Sequence, residues 1–558
     1  FLFTEYILGL DGSVYIALFV SAVLTYFISK YFKLDIELKI KKWPLIIALL
    51  IFFVPSMLWD IQNGWYDAEG NFYSESDRTQ HVSYVNQLLV SKRLPIDDPY
   101  MYGKKVVYSL APELTTVFLC KMFGADPYTI FKILFPLTRF IFIVLLLNIF
   151  SSIKHKKLGF LMFVIFSAIM SNMVSYAGWV SWTVGHITLL WLLNVLLQKK
   201  KEKEEKYGFL NSVMAFQYLP LTVLFSFIHF IQRIAEKDYK KAVNFAVVTV
   251  ALSSPWIAMF LSSGFDSALS DVNPMNTETI YRFAFTMAIF GAVLFTCNKH
   301  KKLNTMAPYL LLFFAWIMLG LLKVHWISIS LVLLIAMNIV LRAYEKNKWA
   351  NYGLFCVLLE VLYLTLGTKM FYAVKLERMS AFILIIGAIQ LISRYKNKKI
   401  SALLIAMTVI LGAYELYSLL SWDAESFLSM DFTENKVHKY DAMAYDWINE
   451  NKIEGKVFLV SYYDNFVFCP LSALTPNKMY YCSKMIAITQ GYDYSGFVDT
   501  IENLKLYPEK ISELIGVDYI FISSEQVGEY MNMIDYCVSN EACSIAYSKW
   551  ATIIEVSQ

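Results

Sequence analysis

Predominantly apolar stretches of about 17–25 positions recur along the chain, the length a helix needs to cross roughly 30 Å of hydrocarbon. Short lysine-rich segments separate these runs, which recur from Ser13 to Leu420. They predict spans near Ser13–Phe32, Pro44–Trp59, Asp126–Phe150, Leu158–Ser175, Gly178–Gln198, Ala242–Leu261, Ile280–Cys297, Met306–Leu322, Trp326–Tyr344, Ala350–Gly367, Ala381–Ile392 and Ile400–Trp422. One further apolar stretch, Phe209–Ala235, has basic residues at both ends and Pro220 within it. A single kinked span here would invert every later loop. A re-entrant pair of half-helices keeps both ends on one side and is the preferred reading. Such a break is tolerated only against protein or a watery cavity.

After Trp422 the pattern turns periodic. "YDAMAYDWINEN" alternates as an amphipathic helix, while "KVFLVS" (Lys456–Ser461) and "DYIFIS" (Asp518–Ser523) have the short apolar form of buried strands. "PEKISELIG" and "EQVGEYMNMI" predict helices, and "SIAYS" with "ATIIEV" a closing hairpin. The expected fold is a mainly α polytopic membrane protein. It has about twelve transmembrane helices plus a re-entrant pair in residues 1–422, and a small extracytoplasmic α/β domain in 423–558. At about 120 residues that domain is large enough for a core of its own.

Composition agrees. The chain is 57% hydrophobic with a mean hydropathy of +0.49, more apolar than a soluble globular protein. Its net charge of +4 is too small to imply a nucleic-acid partner. The lysines set orientation instead: the loops with Lys39–Lys42, Lys154–Lys157, Lys199–Lys206, Lys299–Lys302, Lys346–Lys348 and Arg394–Lys399 are all cytoplasmic in one arrangement. That arrangement places Asp60–Asp126, Ser262–Thr279, Thr368–Ser380 and everything after Trp422 outside a plasma membrane. The chain opens at Phe1 rather than Met, so a preceding segment is expected; no cleavable signal peptide is read. Four of the seven cysteines, Cys469, Cys482, Cys537 and Cys543, fall in the outer region. Cys469–Cys482 and Cys537–Cys543 are the local disulfide pairings, and four small buried hydrophobes the alternative. No cysteine or histidine cluster argues for zinc.

Candidate chemistry concentrates in the first outer loop, residues 60–125. "SDRTQHVSYVNQLLVSK" has a helical start, with Ser76 or Asp77 as cap and Val82, Val85 and Leu89 on one face. Asp77 and His81 stand four apart, at the edge of a helix expected to lie flat on the membrane surface. "PIDDPYMYGKKVVY" puts Asp97 and Asp98 in a Pro-bounded turn with Lys104 and Lys105 close behind, and "SLAPELTTVFLCKMFG" predicts a second interfacial helix. Singly, Asp77 is a helix cap and Asp97 and Asp98 a turn. Together they suit a general base toward a hydroxyl, beside cations able to hold a phosphate. Within the spans, His186 could donate to a sugar or phosphate, or bond a neighbouring helix. His229 could satisfy backbone groups freed by the break, and Arg139 needs an anionic partner. Arg378, in an outer loop, is the best phosphate ligand; a salt bridge with Glu377 is its bland alternative.

In order along the chain, "DRTQH" (Asp77–His81), "PIDDPYMYG" (Pro95–Gly103), "VVY" (Val106–Tyr108), "LERMSAF" (Leu376–Phe382), "DAMAYDWINEN" and "VDYIFIS" resemble prokaryotic GT-C-like membrane proteins. The GT-C superfamily holds lipid-dependent glycosyltransferases such as protein O-mannosyltransferases and oligosaccharyltransferases. The resemblance implies transfer of a hexosyl or pentosyl unit from a polyprenyl-phosphate donor to an extracytoplasmic glycan, lipid or protein acceptor. Asp77 would be the catalytic acid–base residue. His81, Asp97, Asp98, Tyr102, Lys104, Lys105, His186 and Arg378 would bind substrate. Oligosaccharyltransferases use a DxD-type acid pair for a metal. Asp97 and Asp98 are adjacent instead, so no cofactor or divalent cation is expected to be required. A transporter or lipid flippase would share the spans but calls for internal repeats, and no clear pairing of the two halves is read. A non-catalytic scaffold of envelope glycan assembly is the third class.

Overall fold

The computed structural model describes residues 23, 38–54, 56–57, 77–91, 96–106, 110–151, 159–160, 163–164, 167, 181–197, 204–235, 237–262, 439–461, 470–482 and 495–557. The expected spans Ser13–Phe32 (apart from Val23), Ile280–Cys297, Met306–Leu322, Trp326–Tyr344, Ala350–Gly367, Ala381–Ile392 and Ile400–Trp422 lie outside these residues, as do Arg378, Cys469 and the outer loops around Ser262–Thr279 and Thr368–Ser380.

The chain's first helix in this set is α1 (Lys42–Ala48), continued by a π turn at Leu49–Phe53. Then come α2 (Asp77–Ser91), α3 (Ala111–Phe123) and α4 (Pro127–Ser151). Local chemistry sets their limits. Gly124 closes α3 in the left-handed conformation at φ 61°, with a C-cap bond from Ala125 N to Cys120 O at 3.2 Å. Asp126 caps α4 by accepting from Thr129 N at 3.0 Å, and Pro127 occupies the first helical position, where its missing N–H costs nothing.

The helical region continues with α5 (Ser181–Leu197), α6 (Glu204–Gln217), α7 (Leu219–Ala235) and α8 (Tyr239–Ser262). Among the described residues two helices are long and apolar enough to cross a membrane: Pro127–Ser151, with a mean hydropathy of 2.3, and Tyr239–Ala258, with 1.3. Both overlay expected spans. Polar side chains link neighbouring helices: Asn148 donates to Asn194 at 2.8 Å between α4 and α5, and Asn211 to Ser226 at 2.6 Å between α6 and α7. Within an apolar bundle such bonds fix the helix partners. Gly208 allows α6 to approach α8 closely; a Cβ there would meet Val248 Cβ at 2.9 Å and Phe245 O at 3.0 Å.

The expected break in Phe209–Ala235 falls at Tyr218, and the two halves fold back on each other. Glu204, at the start of α6, accepts from Arg233 at 2.8 Å and contacts His229 Nε2 at 3.0 Å, both late in α7. His229 therefore serves a charge pair, not the freed backbone: it stands more than two turns beyond the break, stacked on Phe225. The backbone at the break is met locally, by Tyr218 N to Met214 O at 2.7 Å and by Thr222 Oγ1 to Asn211 O at 3.2 Å.

The C-terminal segment forms α9 (Lys439–Glu450), β1 (Val457–Val460), α10 (Pro470–Leu474), β2 (Lys478–Met479), α11 (Ser495–Leu506), β3 (Tyr519–Ile522), α12 (Met531–Ser539), β4 (Cys543–Ser548) and β5 (Thr552–Val556). The sheet runs β2-β1-β3-β5-β4. Its first three strands are parallel, and β5 is antiparallel to both neighbours. Both strands read from "KVFLVS" and "DYIFIS" are present, and so is the closing hairpin. "PEKISELIG" forms a 3-10 turn (Pro508–Glu513) where a longer helix was expected, and "EQVGEYMNMI" a 3-10 turn leading into α12. Cys537 and Cys543 form a disulfide; the other expected pairing involves Cys469, outside the described residues. One sheet face has its own apolar cluster, with Leu459, Ile520, Ile522 and Ile554. The other face does not stand alone. Phe458, Val460, Phe521 and Ile553 share one cluster with Val82 and Val85 of α2, Val117 of α3, and Phe131 and Phe135 of α4.

Candidate active site

The polar edge of the first-loop helix is not open: Ser83, Asn86 and Gln87 face the C-terminal segment. Thr79 and His81 to Leu88 are buried, because polar residues of α2 find partners on the C-terminal segment and the hairpin that follows. Ser83 Oγ lies 3.0 Å from Ser472 Oγ. Asn86 donates to Ala473 O at 2.8 Å and Gln87 to Asn477 O at 3.0 Å. Tyr100 donates to Ser83 Oγ at 2.8 Å.

Asp77 is the first residue of α2, one turn before His81. His81 is 1% exposed, and its Nδ1 meets Oε1 of Glu113, which is fully buried in the first turn of α3. Contact with the carboxylate fixes the imidazole's orientation. This contact brings the amino-terminal ends of α2 and α3 together, so two sets of helix-end N–H dipoles favour negative charge there. Glu113 was not read as a site residue. The available signal was local: an acid at the third position of a helix opened by Pro112, followed by an apolar run. Its partner is 32 residues away, and no local pattern reveals that pairing.

Ile96–Val106 forms a hairpin, with Val106 N to Ile96 O at 3.0 Å, Asp98 N to Lys104 O at 2.9 Å and Gly103 at φ 73° near its tip. The tip adds to the sheet edge: Met479 N bonds Pro99 O at 2.7 Å, Tyr102 N bonds Tyr480 O at 3.1 Å, and Cys482 N bonds Tyr100 O at 3.1 Å. Asp97, 23% exposed, pairs with Lys105 and, at 2.6 Å, with Lys478. Burial would raise its carboxyl, but the two ammonium groups outweigh that and hold it below the usual carboxylate range. Asp98 is fully buried, and its Oδ1 accepts from Tyr100 N at 2.8 Å, an Asx-type turn contact. Tyr102 stacks on Tyr480 with centroids 6.2 Å apart and lies over Gly516.

The candidate residues thus divide. His81 joins Glu113 beside the start of α2. Asp97, Asp98, Tyr102 and Lys105 build the hairpin and dock it. Lys104 supplies its backbone to that hairpin, with N bonded to Met101 O at 3.3 Å. His186 is buried in α5, where Gly185 packs on Tyr218. Arg139 is fully buried in α4, with Nη1 3.8 Å from Met57 Sδ. The Asp97–Asp98 pair is a poor donor set for a divalent cation, since two ammonium groups and a backbone N–H already occupy it. Among the described residues no three His, Cys, Asp or Glu side chains gather as metal ligands.

No family model matches the chain, and no curated protein matches it. Solved structures do. Arabinofuranosyltransferase AftD from Mycobacteria superposes over 93% of this chain with a TM-score of 0.50 at 11% identity. The chain spans 42% of the AftD length. Archaeal oligosaccharyltransferase AglB from Archaeoglobus fulgidus (TM-score 0.48, 12% identity, 93% of this chain and 74% of that one) follows. ArnT from Cupriavidus metallidurans (0.40, 11%, 91% and 97%) superposes less well. The AftD superposition carries the assignment: the fold is GT-C-like.

Proposed function

We propose that this protein is an integral membrane glycosyltransferase that moves a sugar from a polyprenyl phosphate to an acceptor hydroxyl outside the membrane. The observation that carries this reading is the meeting of the α2 and α3 amino termini. There the buried His81, one turn after Asp77 opens α2, meets Glu113 in a GT-C-like fold. In the proposed step Asp77 takes the proton of the acceptor hydroxyl. That oxygen bonds to the sugar's anomeric carbon as the carbon–phosphate oxygen bond breaks. The polyprenyl phosphate leaves with the electron pair, and configuration inverts. His81, held by Glu113, orients a hydroxyl near Asp77. Arg378, assigned from the loop reading, stabilises the phosphate as its charge grows. A phosphate monoester is already a fair leaving group, so no step is routed through a metal. The acceptor is a glycan, lipid or protein, and the hairpin and sheet over α2 help select it.

The test uses the purified full chain in nanodiscs with undecaprenyl phosphates carrying arabinofuranose, mannose or glucose. AftD's name puts the pentose first. Mass spectrometry of lipid and product should show one donor consumed, and Asp77→Asn should slow that turnover by at least about 10²-fold. Full turnover in Asp77→Asn would sink the assignment of the base.

A further inference from the structure

Glu113 presents an anomaly that pairing with His81 does not resolve. Its Oε1 is taken by His81, whereas Oε2 is buried with no hydrogen-bond partner among the described residues. A carboxylate oxygen shut away from water without a donor is costly, and native proteins keep few of them. The cost is tolerated where the site itself needs the group, as with strain kept at functional positions. Its surroundings support that reading. Glu113 lies in the first turn of α3, where helix-end dipoles stabilise an anion, and it touches the helix that begins at Asp77. Thr116, one turn on, is no donor to it, since its hydroxyl is given to Pro112 O at 2.9 Å.

We propose that Glu113 is a second acid of the active site and that its Oε2 accepts a hydrogen bond from a sugar hydroxyl. This rests on the glycosyltransferase reading above and extends it to a residue with its own recognition role. The ligand chemistry is a neutral hydroxyl donor: a buried carboxylate repels phosphate but accepts well from an alcohol. The hydroxyl belongs either to the sugar being transferred or to the acceptor sugar.

Glu113→Gln tests the assignment, because its amide oxygen still accepts from His81 while an NH2 group, a donor, replaces Oε2. The full-length protein in nanodiscs is assayed with the active undecaprenyl-phosphate sugar and with octyl arabinofuranoside or octyl mannoside as acceptor. Each substrate is also supplied as its monodeoxy analogues. The variant should melt within a few degrees of wild type and lose about 10²-fold in kcat/KM. Wild type should discriminate strongly against one monodeoxy substrate, and Glu113→Gln should not. If that substrate is a donor analogue the hydroxyl is on the transferred sugar; if an acceptor analogue, on the acceptor. Should Glu113→Gln fail to fold, Glu113→Asp replaces it, and altered discrimination at one hydroxyl supports the assignment. Unchanged discrimination in the folded variant overturns it, leaving Glu113 a purely structural partner of His81. If wild type consumes none of the three donors, the glycosyltransferase reading fails and this proposal falls with it.

Discussion

Asp97 faces two ammonium groups, and the sign of its contribution follows from its lowered pKa. A depressed folded-state value means the stabilisation is full above the unfolded carboxylate's pKa of about 3.9 and is lost as pH falls through the folded value. Asp97→Asn should therefore lower stability by about 1–2 kcal/mol at neutral pH, and the deficit should shrink as the medium is acidified below about pH 4. Thermal melts of both proteins from pH 7 to pH 3 check this; a deficit that grows with acid would contradict it. Residue identity made Asp77, His81, Asp97 and Asp98 visible in the sequence, but not their partners. Lys478 stands 381 positions from Asp97, and Glu113 sits on another helix from His81. Titratable residue types are legible one at a time, whereas the pairings that decide their charge and orientation depend on the folded chain.

At the scale of elements, the seat of Tyr102 of the hairpin over the sheet domain needs one small residue. Gly516 has φ 78°, and a Cβ there would meet the Tyr102 ring at 2.3 Å. Gly516→Ala should cost about 1–3 kcal/mol through backbone strain and displacement of Tyr102. In the Tyr102→Ala background the steric part should disappear, so a double-mutant cycle on melting temperature should give a clear coupling energy. The Cys537–Cys543 disulfide ties α12 to β4 across a short loop. Replacing both cysteines by serine should cost about 2 kcal/mol, read by the same melts. Long elements with uniform or strongly periodic patterns were legible: α4, α8, α9, β1, β3 and the final hairpin. Short ones were not. β2 is two residues long and is a strand only because it pairs with β1, while α10 is five residues held by α2. The open polar edge read for α2 is covered by protein instead, since a polar circumference looks the same whether water or another segment satisfies it.

For the molecule as a whole, the C-terminal sheet and the first-loop helices are one packing unit. Phe458, Phe521 and Ile553 lie in the same apolar cluster as Val82, Val117 and Phe131. A chain ending at residue 438 would expose that face and leave Asn86 and Gln87 without their partners on the C-terminal segment. It should aggregate on size-exclusion chromatography, or lose transfer along with protease protection of α2. A monodisperse, fully active truncation would contradict the shared core. The sequence shows two regions, one continuous and one periodic in its apolar pattern. That they share a core was not legible, since nothing in either pattern records its complement. The most direct measurement of the central claim is a cryo-electron microscopy structure of the full chain in nanodiscs, with the Asp77→Asn variant trapping an undecaprenyl-phosphate sugar. The account predicts the sugar at the meeting of the α2 and α3 amino termini, within hydrogen-bond reach of position 77 and Glu113, on the side of the C-terminal sheet. A donor bound at a different site, with this one closed by protein alone, would contradict it.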